Sequence, residues 1–310
     1  MKNLNGIIIP AVTPFDESGA LRLDMLKDNF ARWNTTGAQG IMVLGSNGEF
    51  RSLSDDEAFT VIKTASETIS KEKTLIAGIG RESLYHTLAF LNRIQKEGLT
   101  IDYVSVLTPH YFKSLMTDDA LVEYYAAVAD ASKYPVLLYC APSFANNVCI
   151  SREALKRLAD HPNIAGIKDT SKDMMNTYMD AVGGRADFEV LSGSLGTIMT
   201  CLERGGKGGV VSAANYFPNA CAKLCELAKE KGLKAAREYH KQLESLSALT
   251  GARASVAGVK ATMNLMGYSA GVPRKPVQPC TKELTAEFEQ AIKDHIELIE
   301  SDYNGGLHRI

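Results

Sequence analysis

Short runs of apolar residues recur along the whole chain, separated by stretches whose apolar positions repeat every three to four residues. The runs are apolar at consecutive positions, which indicates strands that are buried on both faces and therefore a parallel sheet. Eight such runs lie at 6–11, 40–44, 74–79, 103–107, 135–140, 164–167, 188–191 and 208–212. The segments between them predict helices, for example at 54–70, 83–97, 117–133 and 151–161.

This alternation of strands and helices favours an α/β fold of the (β/α)8 TIM-barrel type. The eight units occupy residues 1–230, and such barrels typically contain about 250 residues. A doubly wound open sheet would instead place a Gly-x-Gly-x-x-Gly turn after the first strand. The nearest candidate, Gly-Ile-Gly at 78–80, lacks the third glycine and follows the third run. We therefore expect a closed barrel.

Only helices are predicted after the eighth unit, at 220–231, 234–249, 256–266 and 285–299. No linker rich in proline, glycine or serine precedes them, so they are expected to pack on the barrel. The sequence thus predicts a catalytic barrel over residues 1–230 and a C-terminal helical extension over residues 231–310.

The composition excludes some classes of partner. The chain has 310 residues, of which 45% are hydrophobic and 23% charged, with a formal net charge of −2. This near-neutral charge predicts no nucleic-acid partner, and no apolar stretch reaches the length that spans a membrane. The first residues carry no apolar targeting segment, so we expect a cytoplasmic protein. Six cysteines and six histidines are scattered without paired spacing, so we expect free thiols and no metal site.

Lys168 is the first candidate for chemistry, since active sites of parallel barrels lie at the C-terminal ends of the strands. This lysine directly follows the apolar run 164–167. Burial disfavours the charged form of an ammonium group, and a neutral amine can condense with a ketone to give a Schiff base. Taken alone, the side chain could equally extend to solvent. Tyr139 lies near the end of the preceding run and would face the same opening.

Other strand ends carry polar turns that have both a functional and a structural interpretation. They are Gly-Ser-Asn-Gly-Glu at 45–49, Thr-Pro-His-Tyr at 108–111 and Ser-Gly-Ser at 192–194. Ser46 and Asn47 could be ordinary turn residues. Tyr111 could belong to an aromatic interface patch. The turn at 192–194 could bind a phosphate group, as turns after the seventh strand of such barrels often do.

Three of these features together resemble one known superfamily. The turn at 45–49, the Tyr-x-x-Pro turn at 139–142 and Lys168 are similar to those of N-acetylneuraminate lyases and dihydrodipicolinate synthases, in the same order on the same strands. The resemblance covers nearly the whole chain. It implies a class I aldolase that forms a Schiff base with a 2-oxo acid, typically pyruvate. It further implies no cofactor and a homotetramer built as a dimer of dimers.

The resemblance also implies roles for four catalytic residues. Lys168 would attack the ketone of the 2-oxo acid. Tyr139 would transfer protons during carbinolamine formation and carbon–carbon cleavage, as a general acid and base. Ser46 would connect Tyr139 to Tyr111 in a relay. In tetrameric relatives, the tyrosine at the position of Tyr111 comes from the adjacent subunit.

The implied substrate-binding residues come from three turns. The backbone N–H groups of Ser46 and Asn47 would hold the substrate carboxylate, because such a turn presents free donors to an anion. Gly193 and Val211 would line the pocket.

This chain departs from the residues typical of two members of the superfamily, and these differences narrow the choice of activity. In dihydrodipicolinate synthases an arginine usually lies two residues after the proline of the Tyr-x-x-Pro turn. Phe144 occupies that position here, and an apolar ring cannot replace a bidentate cation. Neuraminate lyases carry acidic residues in the turn after the seventh strand, where this chain has Leu195 and Gly196. The segments 45–50, 193–196 and 258–268 instead resemble those of 4-hydroxy-2-oxoglutarate aldolases.

The resulting expectation is a lyase that splits a 4-hydroxy-2-oxo acid, such as 4-hydroxy-2-oxoglutarate, into pyruvate and an aldehyde. Two alternatives stay open. One is a dihydrodipicolinate synthase that condenses pyruvate with aspartate semialdehyde, and the other is a non-catalytic sensor of 2-oxo acids. Arg51 and Lys113 lie near the expected opening, and we interpret them as solvated surface charges.

Overall fold

A computed structural model of the protein describes residues 2–182 and 184–303. Its eight strands are hydrogen-bonded in chain order and form a closed parallel barrel, which confirms the predicted fold class. The strands are β1 (Gly6–Pro10), β2 (Gly40–Val43), β3 (Thr74–Gly78), β4 (Tyr103–Leu107), β5 (Val136–Cys140), β6 (Ile164–Asp169), β7 (Glu189–Ser192) and β8 (Gly208–Val210). Every residue of β2 to β6 is buried. This burial explains why these strands are continuously apolar.

Helices follow the strands and also make up the C-terminal part of the chain. They are α1 (Leu23–Asn34), α2 (Asp55–Thr68), α3 (Leu84–Lys96), α4 (Asp118–Ala131), α5 (Arg152–Ala159), α6 (Met175–Val182), α7 (Leu195–Glu203), α8 (Pro218–Glu230), α9 (Leu233–Leu249), α10 (Ser255–Leu265) and α11 (Lys282–Asp294). The last helix begins earlier than the predicted 285–299, because the side chain of Thr281 caps it by accepting the N–H of Leu284. The residues beyond it form 3-10 turns, Ile296–Asp302, in which Ile299 is non-helical.

The chain groups into two compact units. The first contains β3 to β8 with α3 to α7, and the second contains β1, β2, α1, α2 and α8 to α11. The division into a barrel of residues 1–230 and an extension of residues 231–310 stays a prediction. All six cysteines are free thiols. Across the described residues, no helix combines the length and the apolar character that crossing a bilayer requires.

Candidate active site

Lys168 lies inside a buried strand of the first unit. It is the next-to-last residue of β6, and only 4% of its surface is exposed. Its strand neighbours are Tyr139 on β5 and Leu191 on β7. The position therefore holds the lysine between two neighbouring strands and away from bulk water.

Tyr139 is brought directly to this lysine. The two residues are register partners on adjacent parallel strands, and the Nζ atom of Lys168 lies 4.0 Å from the centroid of the Tyr139 ring. Tyr139 is also buried, with 3% of its surface exposed. An amine and a phenol that are buried side by side can divide nucleophilic attack and proton transfer between them.

The residue after the lysine carries a buried carboxylate. Burial raises the pKa of Asp169 to about 6, and hydrogen bonds from the backbone and hydroxyl of Ser171 oppose this rise. The hydroxyl oxygen of Ser171 also accepts the N–H of Met174, which precedes α6. Asp169 and Ser171 thereby fix the turn between the end of β6 and the following helix.

Gly193 lies immediately after β7 and contacts the same turn. Its N–H donates to the carbonyl oxygen of Asp169 at 2.6 Å. A Cβ atom at this position would lie 2.0 Å from Cγ2 of Thr170. The glycine is thus required for close packing beside β6. Its predicted role of lining the substrate pocket is a separate matter and stays a prediction.

Tyr111 lies in the loop after β4 and is exposed. Its side chain is 75% exposed and packs edge-on against Phe112, with ring centroids 5.0 Å apart. One carboxylate oxygen of Glu82 accepts the N–H groups of both His110 and Tyr111, at 2.8 and 3.0 Å. Glu82 was not found from the sequence, because its partners lie in a distant loop and no motif links them.

The turn that contains Ser46 and Asn47 belongs to the second unit. The N–H of Gly48 donates to the carbonyl of Gly45, and the N–H of Glu49 donates to that of Ser46, both at 3.0 Å. Asn47 donates through its side chain to the hydroxyl of Ser212 at 2.8 Å. Within the described residues, the backbone N–H of Asn47 has no protein acceptor. The turn can therefore offer this donor to an anion.

Left-handed backbone conformations occur at Leu44, which precedes the turn, and at Glu49, which ends it. Leu44 has a φ of 59° and Glu49 a φ of 51°, which is uncommon for residues other than glycine. At Gly48, a Cβ atom would lie 3.1 Å from the carbonyl oxygen of Ala11. The turn is therefore tightly constrained by its surroundings.

Val211, the other predicted pocket residue, is fully buried in the second unit. Its carbonyl accepts the N–H of Ala214 and opens the short 3-10 helix Ser212–Asn215. The side chain of Asn215 joins this helix to the end of β1, donating to Pro10 and accepting the N–H of Val12. The role of Val211 in substrate binding stays a prediction.

The remaining sequence candidates lie at exposed positions or in the turn after β7. Arg51 and Lys113 are exposed, as interpreted from the sequence, and Phe144 is 52% exposed. In the turn at 192–194, the hydroxyls of Ser192 and Ser194 both bond the hydroxyl of Thr197. In the part of the chain that the structure describes, no cluster of three or more histidine, cysteine or acidic side chains could hold a metal ion.

Comparison with known proteins identifies the family. The model of the dihydrodipicolinate synthetase family matches residues 3–295. An uncharacterized DapA-like lyase from Halobacterium salinarum is 32% identical, over 94% of each chain. A 4-hydroxy-tetrahydrodipicolinate synthase from Xanthomonas campestris is 33% identical, over 89% of this chain and 90% of its own.

A solved structure shows the same fold at similar coverage. The chloride-inhibited dihydrodipicolinate synthase from Acinetobacter baumannii, complexed with pyruvate, superimposes with a TM-score of 0.84 at 27% identity, over 94% of this chain and 99% of that one. The chain therefore belongs to the dihydrodipicolinate synthetase family and is a pyruvate-dependent lyase.

Proposed function

We propose that the protein is a class I aldolase that cleaves a 4-hydroxy-2-oxo acid, such as 4-hydroxy-2-oxoglutarate, into pyruvate and an aldehyde. The observation that carries this proposal is the contact between the buried amine of Lys168 and the ring of Tyr139. Pyruvate as the product retained on the lysine is supported by the pyruvate complex of the synthase from Acinetobacter baumannii.

The reaction begins at the ketone carbon of the substrate. The neutral amine of Lys168 adds to C2 to give a carbinolamine, which loses water to form an iminium ion. The phenol of Tyr139 supplies the proton for the departing water, and its phenolate then takes the proton of the C4 hydroxyl. The C3–C4 bond breaks, its electron pair moves into the iminium group as an enamine, and the aldehyde leaves.

Release of pyruvate restores the enzyme. Protonation of the enamine at C3 regenerates an iminium ion, and water adds to C2 to displace the lysine. The low exposure of Lys168 and Tyr139 limits early hydrolysis of the enamine during this sequence.

Substrate orientation is assigned to the turn at 45–49. The backbone N–H groups of Ser46 and Asn47 are proposed to bind the carboxylate next to the ketone, and the unused N–H of Asn47 supports this role. Ser46 is further proposed to link Tyr139 to Tyr111. The high exposure of Tyr111 supports its donation to a neighbouring subunit in a homotetramer built as a dimer of dimers.

A second candidate is 4-hydroxy-tetrahydrodipicolinate synthase activity, the condensation of pyruvate with aspartate semialdehyde. The printed names of similar relatives favour it, among them the synthase from Xanthomonas campestris. Phe144 argues against it, because this exposed apolar ring lies where the synthase pattern has an arginine for the aldehyde's carboxylate. Retention of Lys168 with Tyr139 in contact argues against a sensor without activity.

Reductive trapping tests the shared first step. Pyruvate with borohydride should add the mass of one reduced pyruvyl group to the peptide that contains Lys168. The variant Lys168→Ala should not be labelled there, whereas Lys172→Ala, which removes an exposed lysine of the following turn, should be labelled as the wild type is. Absence of label in the wild type would refute the mechanism.

Product assays then separate the two activities. Pyruvate release from a panel of 4-hydroxy-2-oxo acids is followed by coupling to lactate dehydrogenase. Condensation is followed as consumption of pyruvate in the presence of aspartate semialdehyde. The proposal expects turnover in the first assay and little in the second, and the reverse result would assign the synthase activity.

A further inference from the structure

Lys260 is a completely buried lysine outside the catalytic pair. It lies on α10 of the second unit, and 1% of its surface is exposed. Its Nζ atom donates to the carbonyl oxygens of Thr13 and Val272, both at 2.8 Å, and lies 2.6 Å from Oε1 of Glu49. Two of its N–H donors are thus taken by backbone carbonyl oxygens, and its charge is paired with the carboxylate of Glu49.

Glu49, the partner of this lysine, is the last residue of the turn at 45–49. Its second carboxylate oxygen accepts the N–H of Arg274 at 2.9 Å. Its own N–H closes the turn on Ser46, and its φ of 51° places it in the left-handed region. A residue other than glycine keeps this conformation only when surrounding contacts impose it. The bonds of the Glu49 side chain to Lys260 and Arg274 are such contacts.

Thr13 provides a second connection from Lys260 to the same turn. Its carbonyl oxygen accepts from Lys260, and its hydroxyl donates to the carbonyl oxygen of Gly48 at 2.7 Å. The ammonium group is therefore joined to two consecutive residues of the turn, to Gly48 through Thr13 and to Glu49 directly. Both follow immediately after Ser46 and Asn47.

Stability alone is a poor explanation for this buried pair. Removing two charges from water costs several kcal/mol per ion, and well-packed apolar residues often replace such pairs without loss. What an apolar pair cannot supply is the two hydrogen bonds to the carbonyls of Thr13 and Val272 together with the ion pair to Glu49. The geometry of the turn is the property that depends on those bonds.

We infer that Lys260 and Glu49 are positioning residues that orient the backbone donors of Ser46 and Asn47, and so set the affinity of the enzyme for the carboxylate of its 2-oxo acid. This inference rests on the proposed function, which assigns the carboxylate to that turn. It gives a helix of the C-terminal segment, α10, a part in substrate selection.

The test compares two ketones that differ at the carboxylate. The rate of borohydride trapping at Lys168 is measured against the concentration of pyruvate and of pyruvamide, whose neutral amide replaces the carboxylate. In Lys260→Met, the second-order rate constant with pyruvate should fall about tenfold, as expected when a hydrogen bond to a charged group is misaligned. The constant with pyruvamide should stay at the wild-type value.

Two further variants keep the result interpretable. Lys260→Met leaves Glu49 buried without its partner, which can unfold the chain, so the double variant Glu49→Gln with Lys260→Met removes both charges. It should show the same selective loss with pyruvate. The matched control is Lys293→Met, which removes a lysine of an exposed ion pair with Glu289 on α11 and should trap both ketones as the wild type does.

Each remaining outcome contradicts the inference. Equal losses with pyruvate and pyruvamide would mean that the pair only maintains the fold. Wild-type constants with both ketones in the double variant would mean that the pair does not influence the turn. If pyruvate and borohydride do not label the wild type, the proposed function itself is refuted. This experiment on the wild type is done before any variant is made.

Discussion

Gly193 and Asp169 are joined by a backbone hydrogen bond of 2.6 Å, from the N–H of the glycine to the carbonyl oxygen of the aspartate. The bond connects the residue after β7 to the residue that follows Lys168. Because no Cβ atom fits between them, the glycine controls how closely these two strand ends approach.

The substitution Gly193→Ala should therefore impair both folding and chemistry. The new methyl group would lie 2.0 Å from Thr170 and 2.8 Å from the carbonyl of Asp169, which forces the end of β6 to move. We expect a loss of about 1–3 kcal/mol in the free energy of unfolding and slower trapping of pyruvate. The control is Gly98→Ala, where a left-handed glycine has open space around it; strain without a clash should leave trapping unchanged.

Substitution of Tyr139 tests the proposed proton transfer. In Tyr139→Phe the ring remains beside Lys168 but the proton donor is lost, so we expect turnover to fall about 10²–10⁴-fold. Steady-state rates with a 4-hydroxy-2-oxo acid measure this effect. Tyr125→Phe removes another buried tyrosine hydroxyl, bonded to the carbonyl of Val106, and should keep the wild-type rate. A Tyr139→Phe enzyme of full activity would exclude the phenol from the mechanism.

Tyr111→Phe should reduce the rate without unfolding the chain, because its side chain is 75% exposed. Donation of this tyrosine to another subunit predicts complementation. Mixing Tyr111→Phe with Lys168→Ala under conditions that exchange subunits should create sites with an intact lysine and a borrowed tyrosine, and activity should exceed that of either preparation. If activity after mixing equals the average of the separate preparations, Tyr111 acts within its own chain or not at all.

The buried carboxylate of Asp169 predicts a dependence of stability on pH. Its pKa is raised by burial from 3.8 to about 6, so the folded state binds this proton more tightly than the unfolded state does. The resulting stabilisation is fully present below pH 3.8 and is lost as the pH rises through 6. At 1.36 kcal/mol per pKa unit, the loss amounts to about 3 kcal/mol.

Denaturant unfolding of the wild type and Asp169→Asn between pH 4 and 7 measures this contribution. The asparagine still accepts the N–H of Ser171 but does not ionise, so its difference from the wild type should change across this window. Asp302, whose pKa burial also raises to about 6, contributes a similar dependence to both proteins and cancels in the comparison. A constant difference would show that Asp169 does not titrate there.

The ion pair between Glu57 and Arg274 predicts the opposite dependence. Hydrogen bonding to the guanidinium group lowers the pKa of Glu57 from 4.5 to about 2, and two nitrogens of Arg274 donate to its carboxylate at 2.6 and 2.9 Å. The stabilisation is present above pH 4.5 and is lost as the pH falls through 2. With the carboxylate 30% exposed, screening reduces it to about 2 kcal/mol.

Glu57→Gln should accordingly lower the free energy of unfolding at pH 7 by about this amount, and by progressively less towards pH 2. Glu289→Gln, which breaks the more exposed pair with Lys293, should cost at most about 0.5 kcal/mol. Equal effects of the two substitutions would mean that the bidentate geometry of Arg274 adds nothing to stability.

Two features were predictable from the residue pattern, the closed parallel barrel and the proximity of Tyr139 to Lys168. Strands such as β5 and β6 are continuously apolar because both faces are buried, and that pattern is visible without knowing what covers them. In a parallel barrel, chain order fixes which strand ends are neighbours. Tyr139 and Lys168 could therefore be placed side by side, and their contact in the structure agrees with this expectation.

The pairing of polar groups that are far apart in the chain is visible only in the folded structure. Glu49 and Lys260 each stand in a segment with a recognisable pattern, yet no pattern states that they meet. The same holds for Glu82 and the backbone of Tyr111. Burial of a helix or strand produces a regular pattern of apolar residues in the sequence, because every residue of the element contributes to it. A hydrogen bond or ion pair between two single side chains produces no such pattern, since it depends on which elements pack together and at what distance.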